Sequence, residues 1–198
     1  PLAVFDYFNP EGKTSFANAF TRFRERNIVL PRFSELRDPT TFKPDLLDAL
    51  VHVAPDAADP INLFRVHWFN SPTQPTPVDI PDHIELPAEL TGTDARIVVA
   101  LGNRFPMIAA HKVLAAYSCL VARLVTGRFD PTVTRALWPS TGTYARGDVA
   151  SLKIRGCRGA AALPEVTRRE LHEWLPRWSI APVDDVRTDR PEPDTKPL

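Results

Sequence analysis

The chain has 198 residues, and its 24 lysines and arginines balance its 24 aspartates and glutamates. This length allows one domain with a full core or two small lobes, and the balanced charge disfavours nucleic acid and anionic membranes as partners. No apolar run approaches the ~20 residues that cross a bilayer, and the N-terminus lacks the pattern of a signal peptide. We therefore expect a cytoplasmic protein that binds neither nucleic acid nor membrane.

The cysteines and histidines show no pattern of metal ligands. Cys119 and Cys157 are the only cysteines, and they are too far apart in sequence to form a CxxC motif, which favours buried free thiols. None of the five histidines pairs with another at a metal-ligand spacing. No metal site is predicted.

Residues 1–69 are predicted to form a helical N-terminal lobe. Ser15 can cap an amphipathic docking helix, whose apolar residues recur at three- and four-residue spacings: Phe16, Ala19, Phe20 and Phe23. A second short helix is predicted over Asp45–Val53. The β-branched and aromatic residues of Ile61–Phe69 predict a strand.

A proline-rich connection is predicted over residues 70–95. Five prolines lie between Asn70 and Pro87, and proline interrupts both helices and sheet ladders. We expect this segment to run extended over the surface and to separate the N-terminal lobe from the domain that follows.

Residues 96–183 are predicted to form an α/β domain, a parallel sheet with helices on both faces. Strands and helices alternate in this region. The predicted order is strand Ile97–Leu101, helix Met107–Thr126, strand Ala136–Trp138, a helix, strand Gly159–Leu163, a helix with a Thr167–Glu170 capping box, and a strand near Ile180. In such sheets ligands bind at the carboxyl ends of the strands. Residues 184–198 are polar and rich in proline, which predicts a disordered tail.

Lys112 is the first candidate for chemistry. Its neighbours in the predicted helix are almost all uncharged, and burial there would lower the pKa of its ammonium group. An amine with a lowered pKa is a nucleophile that can form a Schiff base with an aldehyde. The alternative is a surface lysine whose aliphatic part lies along an amphipathic helix.

The loop from Ser140 to Gly147 is the second candidate. It follows a strand and precedes a helix, and Gly142 and Gly147 allow a close approach to backbone N–H groups. A helix N-terminus of this kind can bind a carboxylate or a phosphate. An ordinary strand-to-helix turn uses the same residue types, so the loop by itself leaves both interpretations open.

Together the two motifs resemble the fold type II family of pyridoxal-phosphate enzymes, which includes tryptophan synthase β and cysteine synthase. The stretch ending in Ala110-His111-Lys112 is similar to the segment of tryptophan synthase β that carries the cofactor lysine. The loop Ser-Thr-Gly-Thr-Tyr-Ala-Arg-Gly follows Lys112 after one helix and one strand. The family's glycine-containing loop follows its cofactor lysine in the same way. The resemblance extends from about Ile97 to Trp174.

The resemblance implies a lyase or synthase that acts on an amino acid through Schiff base formation, α-proton removal and β-elimination or β-replacement. It implies that Lys112 is catalytic and binds pyridoxal 5'-phosphate together with His111 and Thr143. It also implies a set of residues for the substrate carboxylate: Ser140, Thr141, Gly142, Thr143, Arg146 and Gly147. A homodimer, or pairing with a fuller-length chain, is expected.

Other interpretations remain open. Thr143 stands where cysteine-synthase-like members have Asn, and none of the eight glycines lies after Gly159, whereas the family's phosphate loop is rich in glycine. These departures favour a degenerate or truncated scaffold, or a non-catalytic interaction module. A further possibility is an enzyme that uses the Gly142 loop for another anionic ligand.

Overall fold

The chain divides into two compact units in a computed structural model that describes residues 12–139, 142–162 and 196–197. Residues 30–111 form one unit, here called the inserted unit. Residues 1–29 and 112–198 together form the other, here called the discontinuous unit. The sequence placed the division in the proline-rich segment 70–95, which lies within the inserted unit. Among the described residues, no helix is both long and apolar enough to cross a membrane.

The discontinuous unit combines helices with a small parallel sheet. Its elements are α1 (Lys13–Glu25), α5 (Lys112–Val125), β3 (Arg135–Pro139), α6 (Thr143–Arg155), β4 (Arg158–Ala162) and β5 (Lys196–Pro197). The central strand β3 pairs in parallel with β4 on one side and with β5 on the other. The predicted strands β3 and β4 are confirmed within a residue. The helix predicted between them is confirmed as α6, and the three elements form a β-α-β unit. The two described residues of the predicted disordered tail lie in β5.

Helix α5 buries one apolar face within the discontinuous unit. Its buried residues recur at helical spacing: Val113, Ala116, Tyr117, Leu120, Val121 and Leu124. The helix begins at Lys112 and not at Met107, so the predicted start was wrong. Met107 and Ala109 have φ angles of 67° and 48°, and left-handed residues cannot continue a right-handed helix.

Helix α1 packs on this unit through only part of its apolar face. Ala19 and Phe23 are buried, while Phe16 and Phe20 are exposed and stack on each other with ring centroids 6.4 Å apart. Gly12 precedes the helix at the N-cap position, so the predicted Ser15 cap was wrong and Ser15 lies within the first turn. The amphipathic pattern was correct, but a pattern does not decide which apolar residues find a partner.

The inserted unit consists of short elements. They are α2 (Phe33–Arg37), α3 (Pro44–Val51), β1 (His83–Leu86), α4 (Ala88–Thr91), β2 (Ile97–Ala100) and 3₁₀ helices at Pro39–Thr41, Pro60–Arg65 and Gly102–Arg104. The strand predicted over residues 61–69 was wrong, because Pro60–Arg65 is a 3₁₀ helix. Pro60 suits a first helical position, and the Asp59 carboxylate accepts a hydrogen bond of 2.9 Å from the Ile61 N–H. Helix α3 confirms the predicted second helix.

The strand predicted at Ile97 is confirmed as β2, but it pairs antiparallel with β1, with Leu86 opposite Ile97. It therefore does not join β3 and β4 in a parallel sheet. The parallel sheet seen among the described residues consists of β4, β3 and β5. The predicted helix at Thr167 and strand near Ile180 lie outside the described residues, so the wider α/β sheet stays a prediction.

Candidate functional site

Lys112 is the first residue of α5, and its side chain is exposed. The apolar neighbours that the sequence suggested lie on the buried face of the same helix, beginning with Val113. The amine therefore lies outside the apolar surroundings expected from the sequence. It can be reached by a ligand in solution, which a buried lysine could not.

The starts of α5 and α6 lie against each other at Gly147. A Cβ atom built on Gly147 would lie 3.1 Å from the Lys112 carbonyl oxygen and 3.2 Å from the Val113 Cα atom. These are backbone atoms, which cannot rotate away as a side chain can. Gly147 thus allows the two helices to approach closely, and the structure brings two of the sequence-predicted site residues together.

The remaining predicted residues of the loop differ in their surroundings. Ser140 and Thr141 lie outside the described residues. Gly142 is the N-cap of α6, and a Cβ atom built on it would meet nothing within 4 Å. Thr143, the first residue of α6, is exposed, and Arg146 is half-buried. Burial lowers the pKa of the Arg146 guanidinium.

The structure also shows a set of polar residues on α6 that the sequence did not single out. They are spaced at four, three and four residues, which places them along one side of the helix: Tyr144, Asp148, Ser151 and Arg155. We call them the polar row. The last three are buried, with exposed fractions of 1% or less.

The polar row is only partly satisfied among the described residues. The Tyr144 hydroxyl donates to Cys119 Sγ over 3.5 Å, and Arg155 Nη1 donates to the Ser151 carbonyl over 3.1 Å. The Arg155 guanidinium also lies 4.7 Å from the centre of the Tyr117 ring, a cation–π contact. Both carboxylate oxygens of Asp148 have no hydrogen-bond partner in the part of the chain that the structure describes.

Burial dominates the electrostatics of this row. Because desolvation disfavours the charged carboxylate, burial raises the pKa of Asp148 to about 8. Burial, the hydrogen bond to Cys119 and the nearby Asp148 raise the pKa of Tyr144 to about 12. Burial lowers the pKa of Arg155. Asp148 therefore holds its proton at neutral pH, which reduces the cost of its unpaired oxygens.

Spacing alone could have revealed the polar row, since Tyr144, Asp148, Ser151 and Arg155 share a side of any helix that contains them. The spacing could not reveal that these side chains are buried. The solvent-facing side of an exposed helix is normally polar, whereas α6 is buried along most of its length. Only the packing of α6 separates the two cases.

The two cysteines are free thiols in different surroundings. Cys157 is buried, and burial raises its pKa to about 11. Cys119 is half-buried and accepts the hydrogen bond from Tyr144. The prediction of free thiols is confirmed for both residues, and the prediction of burial for Cys157 alone.

His111 is the last residue of the inserted unit and is exposed. Its ring stacks on Trp68, with centroids 5.7 Å apart and planes at 21°. On another side lies Gly102, where an added Cβ atom would be 2.8 Å from His111 Nδ1. The imidazole is thus held by its neighbours although it is exposed.

The described residues contain no group of three or more His, Cys, Asp or Glu side chains that could hold a metal ion. Comparison with protein-family models, curated proteins and solved structures finds no match to this chain. Function must therefore be inferred from the residues themselves.

Proposed function

We propose that this chain is a pyridoxal-phosphate-dependent lyase or synthase of the fold type II kind, acting on an amino acid in the cytoplasm. The observation that carries the proposal is the approach of α6 to the start of α5 at Gly147, where an added Cβ would lie 3.1 Å from the Lys112 carbonyl oxygen. The backbone of Lys112, whose side chain is exposed, and the second turn of α6 then lie close together. The sequence resemblance assigns the cofactor lysine and the carboxylate loop to these two segments.

The residues fit part of the cofactor site. Pyridoxal phosphate, when bound, supplies an aldehyde that an amine can capture and a ring that accepts electrons. The exposed Lys112 amine is the attachment point in this proposal, and it later accepts and returns the α-proton of the substrate. Thr143 and His111 complete the cofactor contacts that the resemblance assigns. The described residues include no glycine-rich loop beyond Gly159 for the phosphate.

The substrate carboxylate is assigned to the N-terminus of α6. The partial positive charge of a helix N-terminus favours an anion, and open space around Gly142 lets a ligand approach the backbone. Arg146, one turn further along, adds positive charge. Its half-burial places this charge in a region less screened than bulk water.

Chemical labelling tests the assignment of Lys112. The full chain is mixed with pyridoxal phosphate, reduced with borohydride and digested, and the labelled lysine is identified by mass spectrometry. The expected result is one dominant label on Lys112, which Lys112→Ala removes. Lys43→Ala is the matched control, because Lys43 is also exposed, and it should leave the label unchanged.

Even labelling of all exposed lysines, including Lys13 and Lys43, would contradict the proposal. It would mean that the aldehyde reacts according to accessibility alone. Loss of the label in Lys43→Ala would contradict it as well.

The second candidate is a non-catalytic interaction module that pairs with another copy or a fuller-length chain. The stacked and exposed Phe16 and Phe20 on α1 favour it, because exposed aromatic pairs are enriched at interfaces. Light scattering after size-exclusion chromatography tests this candidate. A dimer that Phe20→Ser dissociates, with no label on Lys112, would favour the module over the enzyme.

A further inference from the structure

The two-stranded sheet of β1 and β2 exposes apolar side chains. Its residues range from half-buried to fully exposed, and none of them is buried. Five of the twelve exposed large hydrophobic residues of the described chain lie between positions 80 and 99: Ile80, Ile84, Leu90, Val98 and Val99. A two-stranded sheet is at best marginally stable in water without a further strand or layer. An apolar surface concentrated in this way marks a site of interaction.

The outer edge of β2 presents backbone groups that β1 does not use. The Leu101 N–H donates to the Asp82 carbonyl over 2.8 Å, which continues the β1–β2 register by one residue. In an antiparallel pair, residues that bond to the partner strand alternate with residues whose N–H and C=O point away from it. Val98 and Ala100 therefore direct these groups to the outer edge, where no second strand pairs with β2 among the described residues.

Strand β2 lacks the features that disfavour a further strand. Natural edge strands are protected by charged side chains, proline or bulges, whereas β2 has the sequence Ile-Val-Val-Ala. The neighbouring Arg96 is already neutralised, because its guanidinium donates two hydrogen bonds, 2.8 and 3.0 Å long, to the Glu85 carboxylate. The outer edge of β2 thus suits an uncharged strand.

We infer that β2 is an interaction surface for a second copy of this chain, in which the two β2 strands pair antiparallel about a two-fold axis at Val99. In this register Val98 of each copy lies opposite Ala100 of the other, and each of these two pairs exchanges two backbone hydrogen bonds. All four bonds use groups that point to the outer edge. The strand is therefore complementary to itself, as the interface of a symmetric dimer must be.

The same register joins the apolar faces of the two copies. Side chains alternate between the faces of a strand, so one face of the β1–β2 sheet carries aliphatic residues throughout: Ile84, Leu86, Ile97 and Val99. Pairing through β2 makes a sheet of four strands with these side chains from both copies on one face. Like charges do not oppose each other, since the two Arg96 side chains lie at opposite ends of the paired strands.

This inference goes beyond the proposed function and does not rest on it. It involves neither the cofactor nor the exposed Phe16 and Phe20 on α1. The interface is small, since two strands of four residues bury less than the roughly 1,200 Å² of ordinary stable complexes. We therefore expect a weak dimer with a Kd on the order of 10–100 µM.

Sedimentation velocity of the full chain from about 1 to 300 µM tests the pairing, and the wild type should change from monomer to dimer in this range. Val99→Lys and Val99→Glu each place like charges opposite each other at the axis and should abolish the dimer. Mixing the two variants places opposite charges there and should restore it, which misfolding of either variant would prevent. Val51→Lys, at an exposed valine on α3, is the matched control and should leave the Kd unchanged.

Val98→Pro tests the backbone contacts. Proline is tolerated in an edge strand where the N–H faces away from the neighbouring strand, so the bonds between β1 and β2 remain. The change removes two of the four hydrogen bonds between the copies and should weaken the dimer about tenfold or more. In the wild type, the amides of Val98 and Ala100 should gain protection from hydrogen exchange as the concentration rises. The Val99 amide, which is directed to β1, should change less.

A wild type that stays monomeric at the highest concentration would overturn the inference and leave the edge to a strand of another chain. A dimer that persists in Val99→Lys, or that the mixture of the Lys and Glu variants fails to restore, would overturn it as well. A dimer that Phe20→Ser dissociates while the β2 variants leave it intact would place the interface on α1 instead. Labelling of Lys112 is measured separately, so failure of the proposed function does not affect this result.

Discussion

Replacing Asp148 by Asn should change how the free energy of unfolding depends on pH. The folded state binds the Asp148 proton more tightly than the unfolded state, because burial raises the pKa to about 8 from an ordinary value near 4. The stabilisation is fully present below about pH 4 and is lost as the pH rises to 8. Asn cannot titrate, so the variant lacks this dependence.

The size of the effect follows from the two pKa values. Each unit of difference corresponds to about 1.4 kcal/mol, so about four units give on the order of 5 kcal/mol over the whole range. Between pH 6.5 and 7.5 the wild type should lose roughly 1 kcal/mol of stability relative to Asp148→Asn. Asn brings a buried amide that needs partners, but that cost does not vary with pH and leaves the difference in slope unaffected.

The assay is urea unfolding of the two proteins at half-unit intervals from pH 5 to 8.5, followed by circular dichroism. The quantity compared is the difference in unfolding free energy between wild type and variant at each pH. A difference that stays constant across this range would refute the account of Asp148 as a buried, protonated carboxyl.

Two further predictions concern His67 and Gly147. Burial lowers the pKa of His67 to about 4, so its neutral form contributes stability above pH 6.5 that is lost as the pH falls towards 4, roughly 3 kcal/mol in all. His67→Leu in an Asp148→Asn background should remove this loss when the unfolding free energy is measured with urea. If the unfolding free energy fell equally towards low pH with and without His67→Leu, the account would be wrong. Gly147→Ala should destabilise the chain by about 1–2 kcal/mol, since its Cβ meets the Lys112 backbone at 3.1 Å and the steric cost exceeds the helix propensity gained. Gly142→Ala, which meets nothing, should cost less than about 1 kcal/mol, and equal losses in the two variants would contradict the close approach.

Several elements of the discontinuous unit could be predicted from the sequence. The strand at Ala136–Trp138 and the strand at Gly159 are short apolar runs bounded by turn residues, and α5 shows helical spacing of apolar residues. Local patterns of this kind reflect the burial of one face, and the structure confirms these elements. The start of α5 could not be predicted, since nothing in the residues from Met107 to His111 signals two left-handed backbone positions.

The inserted unit was predicted less well. Ile61–Phe69 is β-branched and aromatic, yet the Asp59 cap and Pro60 begin a 3₁₀ helix. Its Arg65 is buried and donates to the carbonyl oxygens of Leu50 and Val53. These hydrogen bonds join residues far apart in sequence, and no local preference specifies them. The antiparallel partner of β2 was missed for the same reason, since pairing depends on contacts along a whole strand.

The same distinction between local sequence and tertiary contacts applies to the candidate site. The sequence by itself determined the residue types at Lys112 and Gly142–Gly147, their order and the resemblance they carry, because spacing along a chain is a property of sequence. Tertiary packing alone decided that Lys112 is exposed, that Gly147 lies against its backbone and that Asp148 is buried. Burial and proximity arise from the assembly of several elements, so the pKa of Asp148 and the environment of the Lys112 amine follow from packing.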